Sequence, residues 1–189
     1  MAIKELIGLA ESQCEQHQAD HSFRVMWLAR RIFGLELANA PEEIRQNQNL
    51  YLQALDWAAV LHDREMSVTE SYDFDHGKRA AGKVDELIGD KVSPEGREVI
   101  RFLCIVHVLD DKEIGDLTPA QEFLLKIFKD ADALDRVRFD NGYALVESFM
   151  RFESAKELIQ EAKELWERTK QGFDSPQAAF DAVFGNKVE

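Results

Sequence analysis

The sequence predicts an all-α protein, one domain built as a bundle of about eight or nine helices. Three observations lead there. Apolar residues recur at helical spacing in nearly every segment, period-2 alternation is absent over any useful length, and Ser-Pro or Thr-Pro pairs stand where three helices should start.

Taken in order, Ile3, Leu6, Ile7, Ala10 and Cys14 share one side of a first helix. A second runs through "DHSFRVMWLARRIFGLELA" with Asp20 as candidate N-cap. Pro41 and the two glutamates after it open a third, which continues to the pair His62-Asp63. The stretch "REMSVTESYDFD" is the longest irregular one and reads as a loop, and the helix that follows from His76 ends near Gly89. Ser93-Pro94 opens a strong helix reaching "VHVLDD", and Thr118-Pro119 opens another that reaches "KDADALDRVRF". The segments "DNGYALVESFMRF" and "SAKELIQEAKELWERTK" complete the bundle before Ser175-Pro176 starts the last helix. Leu158, Ala162, Leu165 and Thr169 align as a stripe expected to pack on the core, a partner subunit in a homo-oligomer being the alternative. No repeat, low-complexity stretch or Pro/Gly/Ser-rich linker divides the chain. Residues 1–189 therefore read as one domain.

A chain of 189 residues with 45% hydrophobic content can bury a sizeable core. Its net charge of −13, with no basic stripe, argues against an extended nucleic-acid surface and against anionic lipid. A small anionic substrate is compatible if cations line its pocket, and a metal ion is the most economical source of that charge. No apolar run approaches the roughly 20 residues that a membrane-spanning helix needs. The N-terminal "MAIKELIGLAESQ" carries Lys4, Glu5 and Glu11 where a signal peptide would be apolar. A cytoplasmic protein with no membrane partner is the expectation. Cys14 and Cys104 lie outside any CxxC pair, which disfavours a disulfide framework, and Cys104 reads as a small buried hydrophobe.

The informative residues are polar ones placed on apolar stripes. His21 shares a helical face with Val25, Leu28 and Ile32, and His62 continues a stripe from Leu55 and Ala59. His107 falls with Ile100, Leu103 and Cys104, and Asp132 with Leu125 and Phe128. One inward histidine has an ordinary explanation as a hydrogen-bonded core residue. Four helices that all aim a His or Asp inward are harder to explain so, because a buried carboxylate without a cation is costly. Helix bundles commonly build metal sites from facing side chains.

In chain order the sequence carries His21, the pair His62-Asp63, "DFDHGKRAA" with His76, "VHVLDD" with His107, and "KDADALDRVRF" with Asp132. This constellation resembles the HD-domain superfamily of metal-dependent phosphohydrolases, whose helical core it matches from about residue 17 to about residue 140, with the C-terminal helices of 141–189 packed on that core. The family pattern is a His, a His-Asp pair, and a later Asp inside an "AD" segment. It implies His21, His62, Asp63 and Asp132 as ligands of one metal. Members with two metals add two histidines between the pair and the last Asp. His76 and His107 match those in order and rough position, and Asp63 would then bridge. The resemblance so makes Asp63, His76 and His107 the catalytic candidates. Asp130 and Asp135 lie close by, but the "AD" resemblance and the shared face select Asp132, and Asp135 is placed to orient a histidine or a water. His17, four residues before His21, is a candidate for the pocket mouth. Arg64, Lys78, Arg79 and Arg136 flank the motifs as candidates for gripping a phosphate oxygen, with a solvated surface charge as the alternative for each.

The resemblance implies hydrolysis of a phosphate ester or anhydride of a nucleotide or other small phosphorylated metabolite by a metal-activated water. One or two divalent transition-metal ions are implied, and mixed His and carboxylate ligands suit Mn, Fe, Co, Ni or Zn. Here "RE" follows the His-Asp pair where stringent-response nucleotide hydrolases carry Glu-Asp. The Gly-Tyr-Pro signature of the cyclic-di-GMP branch is absent too, so those two substrates are disfavoured. A di-iron oxygenase of the same fold and a non-catalytic binding or signalling module stay open as alternatives.

Overall fold

The computed structural model describes residues 3–10, 19–67 and 73–185, and every regular element in them is helical. The α-helices are α1 (Ile3–Leu9), α2 (Ala19–Glu36), α3 (Glu42–Gln46), α4 (Gln48–Leu61), α5 (His76–Gly82), α6 (Val84–Ile88), α7 (Pro94–Val106), α8 (Pro119–Leu134), α9 (Glu153–Glu157), α10 (Ile159–Thr169) and α11 (Pro176–Phe184). The all-α expectation holds. No helix among the described residues is long and apolar enough to cross a membrane.

Helix α2 is the axis of the bundle and packs on α4, α8 and α11. Helix α7 lies on the other side of α4, and α5 packs on α7. The core follows from the apolar stripes: Phe23, Leu28 and Ile32 of α2, Leu55 and Trp57 of α4, Leu103 of α7 and Phe128 of α8 are all fully buried. Phe23 meets Phe180 of α11 edge to face at 5.2 Å. The stripe Leu158, Ala162, Leu165 and Thr169 is buried as expected. It packs α10 against α2, α11 and the 3-10 turn Asp135–Arg138. Cys104 is a buried free thiol.

The three expected caps are formed. The side chains of Ser93, Thr118 and Ser175 accept the backbone N–H of Gly96, Gln121 and Ala178, and a proline occupies the first turn each time. Thr118 and Gln121 complete a reciprocal capping box at the start of α8.

Eleven α-helices among the described residues exceed the expected eight or nine, because three expected helices are broken by one residue each. Asn47 has φ −121° and ψ 36°, and its side-chain amide donates to the Glu43 carbonyl, a local bond that competes with the helical one. Lys83 (ψ 0°) and Leu158 (ψ −4°) make the other two breaks. The segment "DNGYALVESFMRF" forms no α-helix, only a 3-10 turn at Glu147–Phe149. Asn141 folds a local turn there by accepting the Tyr143 N–H. Asp20 lies inside the first turn of α2 as described, where it accepts from Arg24, so its N-cap role is replaced by an ion pair. Helix α1 stops at Leu9, and Cys14 and His17 lie outside the described residues.

Candidate metal centre

Four histidines converge where α2, α4, α5, α7 and α8 meet, and three are set by the same local device. His62 is the C-cap of α4, and its Nδ1 donates to the Ala59 carbonyl at 2.9 Å. His107 is the C-cap of α7, with Nδ1 on the Cys104 carbonyl at 2.7 Å. His76 opens α5, with Nδ1 on the Asp73 carbonyl. Each ring thus bonds to the backbone three residues before it. A carbonyl only accepts, so each Nδ1 carries a proton and, in the neutral ring, each Nε2 keeps a lone pair. His21, on the buried face of α2, reaches the same state differently: its Nδ1 donates to Asp135 Oδ2 at 2.7 Å.

The four Nε2 atoms and two carboxylates form two groups. In the first, His21 Nε2 lies 3.3 Å from His62 Nε2, 3.4 Å from Asp63 Oδ2 and 3.6 Å from Asp132 Oδ1. His62 Nε2 lies 3.4 Å from Asp63 Oδ2 and 3.8 Å from Asp132 Oδ1. In the second, His76 Nε2 lies 2.9 Å from His107 Nε2, and the two are 3.0 and 3.3 Å from Asp63 Oδ1. Asp63 therefore turns one oxygen to each group. The donor set suits a transition metal. Bonds of about 2.0–2.2 Å at right to tetrahedral angles place neighbouring donors roughly 2.9–3.6 Å apart. In the neutral rings lone pairs would face lone pairs at these distances, a repulsive arrangement that a cation between them, proton or metal ion, relieves.

Electrostatics point the same way. Burial pushes the His62 imidazole down, but Asp63 and Asp132 outweigh it and lift His62 to about 10. His76 is raised too, burial being overcome by its bond to Asp63. Burial dominates at His107 and lowers it. Burial acts to raise Asp132, yet His62 and His21 hold it well below the usual carboxylate range. The pocket asks for positive charge, and in its absence protons occupy the imidazoles. The Phe128 ring stands edge-on to His62 at 5.4 Å and to His107 at 6.3 Å, which fixes both rings. Asp132, with a side chain 22% exposed, is the open edge; Asp63 and the four histidine side chains are 6% exposed or less.

The other two aspartates of "KDADALD" separate cleanly. Asp130 points away and anchors the start of α9, accepting the backbone N–H of Arg151 and Phe152 at 2.9 Å. Asp135 stands behind His21, as its position one turn beyond Asp132 suggested. It is fully buried and receives Arg24 Nε at 2.5 Å, Arg24 Nη2 at 3.1 Å and Arg138 Nη1. Burial acts to raise Asp135, but Arg24, His21 and Arg138 hold it far below the usual range.

The cations nominated from sequence sit differently. Arg64 Nη1 donates to the Leu9 carbonyl at 2.6 Å and ties down α1. Lys78 is exposed and pairs with Asp75 at 2.9 Å. Arg79 pairs with Asp73 and donates to the Glu65 carbonyl at 2.9 Å. Arg136 is exposed, and the arginine beside His21 is Arg138, whose Nη1 lies 3.1 Å from His21 Nδ1. Arg24 and Arg138 were not singled out from the sequence. The signal available for both was spacing: Arg24 is three residues after His21, and Arg138 three after Asp135 in a 3-10 turn, where residues three apart eclipse. No protein-family model, curated protein or solved structure matches this chain.

Proposed function

We propose that this chain is a metal-dependent phosphohydrolase of the HD type, cleaving a phosphate ester or anhydride of a nucleotide or other small phosphorylated metabolite. One observation carries the reading. Four Nε2 atoms and Asp63 form two groups that share Asp63, with spacings that fit metal ligation, and Asp132 Oδ1 stands 3.6 and 3.8 Å from the two Nε2 atoms of the first.

In this reading His21, His62 and Asp132 would hold one ion, His76 and His107 would hold another, and Asp63 would serve both. A bound divalent ion supplies a water acidified toward neutral pH and a Lewis acid for a phosphoryl oxygen. The chain's own residues prepare the place. Asp135 and the three backbone carbonyls keep the protons on Nδ1 and so leave each Nε2 free to ligate. Phe128 closes the flank of His62 and His107 to water. Substrate enters at the Asp132 edge, the most exposed part of the ligand set.

Elemental analysis of freshly purified protein beside the Asp63→Ala variant tests this first. The wild type is expected to carry about two transition-metal ions per chain, both lost in the variant, because Asp63 belongs to both groups. Phosphate release from phosphorylated compounds by the loaded wild type, absent in the variant, completes the case. A protein that holds no ion after reconstitution with Mn, Fe and Zn ends the metalloenzyme reading. A second reading, a di-iron oxygenase, draws on the same completeness of both groups. Oxygen uptake by the iron-loaded protein without phosphate release selects it.

A further inference from the structure

We propose that Arg138 is the anion-gripping residue of this centre, its Nε–Nη2 edge holding two oxygens of the phosphoryl group that the substrate carries. This rests on the hydrolase reading above and names the residue that would recognise its substrate. The other cations near the centre already have partners. Arg24 is fully engaged: Nε and Nη2 donate to Asp135, and Nη1 donates to Asp20 at 2.5 Å and to Thr169 Oγ1 at 3.1 Å. Arg64, Lys78 and Arg79 serve Leu9, Asp75 and Asp73.

Arg138 is different. Its Nη1 is committed to Asp135, both to the carboxylate and, at 3.1 Å, to the backbone carbonyl. Its Nε is buried with no hydrogen-bond partner, and Nη2 has none among the described residues. The side chain is only 6% exposed, so water does not readily make up the loss. The Phe139 ring lies against the guanidinium at 4.3 Å and fixes its plane. In a guanidinium, Nε–H and one Nη–H leave the same edge in parallel, the fork that matches two oxygens of a phosphate. A buried Nε–H without an acceptor, with an Nη2–H on the same edge and the guanidinium held rigid beside a candidate metal centre, is a donor edge that an anion would complete.

Position favours a phosphoryl group over a remote anion. Asp132, Asp135 and Arg138 succeed one another at intervals of three along the end of α8 and the 3-10 turn after it. All three meet the His21 ring, Asp132 at Nε2 (3.6 Å) and Asp135 and Arg138 at Nδ1 (2.7 and 3.1 Å), and Asp132 is the open edge of the ligand set. With a chain charge of −13, an anion settles only where a local cation has bonds to offer.

The test uses zinc-loaded protein and inorganic phosphate as the probe, by titration calorimetry. Arg138→Gln is expected to weaken phosphate binding roughly tenfold or more. Arg138→Lys, which keeps the charge and loses the fork, recovers part of that loss, and both variants keep the wild-type zinc content. In the wild type, the Arg138 Nε–H resonance, identified by its absence from both variants, shifts as phosphate is added. Unchanged phosphate affinity in zinc-replete Arg138→Gln overturns the proposal. So does a resonance that does not move at saturating phosphate. Loss of zinc together with phosphate in Arg138→Gln also overturns it, since Arg138 would then only position Asp135. If phosphate binds at Arg138 and yet the loaded protein cleaves no phosphorylated compound, the hydrolase reading fails and the anion site stands.

Discussion

Asp135 touches no donor atom that faces the pocket, yet it decides how His21 presents its ring. One carboxylate takes the His21 proton and the charges of Arg24 and Arg138. Asp135→Asn removes the charge and can offer its amide to His21 Nδ1, which would leave the wrong tautomer facing the pocket. The variant is expected to lose metal affinity about 10–100-fold at the His21 group and to keep the second ion, which elemental analysis and competition with a chelator would resolve. Two buried arginines would also lose their counter-charge, a change that costs on the order of 3–5 kcal/mol by denaturant titration. At this scale the candidate ligands His21, His62, His107 and Asp132 were legible because a polar side chain on an apolar stripe breaks a regular pattern, whereas Asp63 and His76 were suggested by the family resemblance alone. Arg24 and Arg138 were not, because an arginine on a helix ordinarily reaches solvent along its apolar stem. Only the carboxylates that await them in the interior distinguish them.

Helix ends, rather than helix middles, present three of the four histidines, and this makes the packing of whole elements decisive. A Cβ on Gly77 would stand 2.1 Å from the Cys104 carbonyl oxygen and 3.2 Å from the His107 ring. Glycine is what lets α5 approach α7, and that carbonyl is the one that sets His107. Gly77→Ala is expected to push α5 away, cost about 1–3 kcal/mol, and release the ion of the His76–His107 group before the other. Thermal unfolding and metal content measured on the same preparation check it. Element types were readable from periodicity and caps, and Ser93, Thr118 and Ser175 each start a helix as their sequences imply. Boundaries were less so. A single-residue break such as Asn47 barely disturbs the spacing of apolar residues on either side, so periodicity merges α3 and α4. The 140–152 segment is apolar enough to suggest a helix, but it is held by a buried carboxylate, Asp130, that periodicity does not see.

For the molecule as a whole, the candidate centre makes stability depend on pH in a way that metal would abolish. Asp63 and Asp132 raise His62 to about 10, against an unfolded value of about 6.5. A raised pKa means that the folded state holds the proton more tightly. The contribution is complete below about 6.5 and is lost as pH rises through about 10. The melting temperature of metal-free protein is therefore expected to fall across that window. Metal-loaded protein, whose ion takes the proton's place, is expected to stay level; a parallel fall in both would show that His62 does not face the ion. The C-terminal helices share in the same centre, since Thr169 of α10 receives Arg24, which holds Asp135, which holds His21.

Asp63 turns one oxygen to each group, and this has a kinetic side. The donors come from five places along the chain, and no two adjacent elements assemble either group alone. A nascent or partly unfolded chain offers an ion only scattered imidazoles, so tight capture would wait until α2, α4, α5, α7 and α8 have all docked. The bound ions would then act as clasps across long loops of chain, and a fluctuation that frees the one aspartate at the end of α4 would open both together. Metal exchange in the finished protein would consequently report the breathing of that helix end, with both ions leaving at one rate.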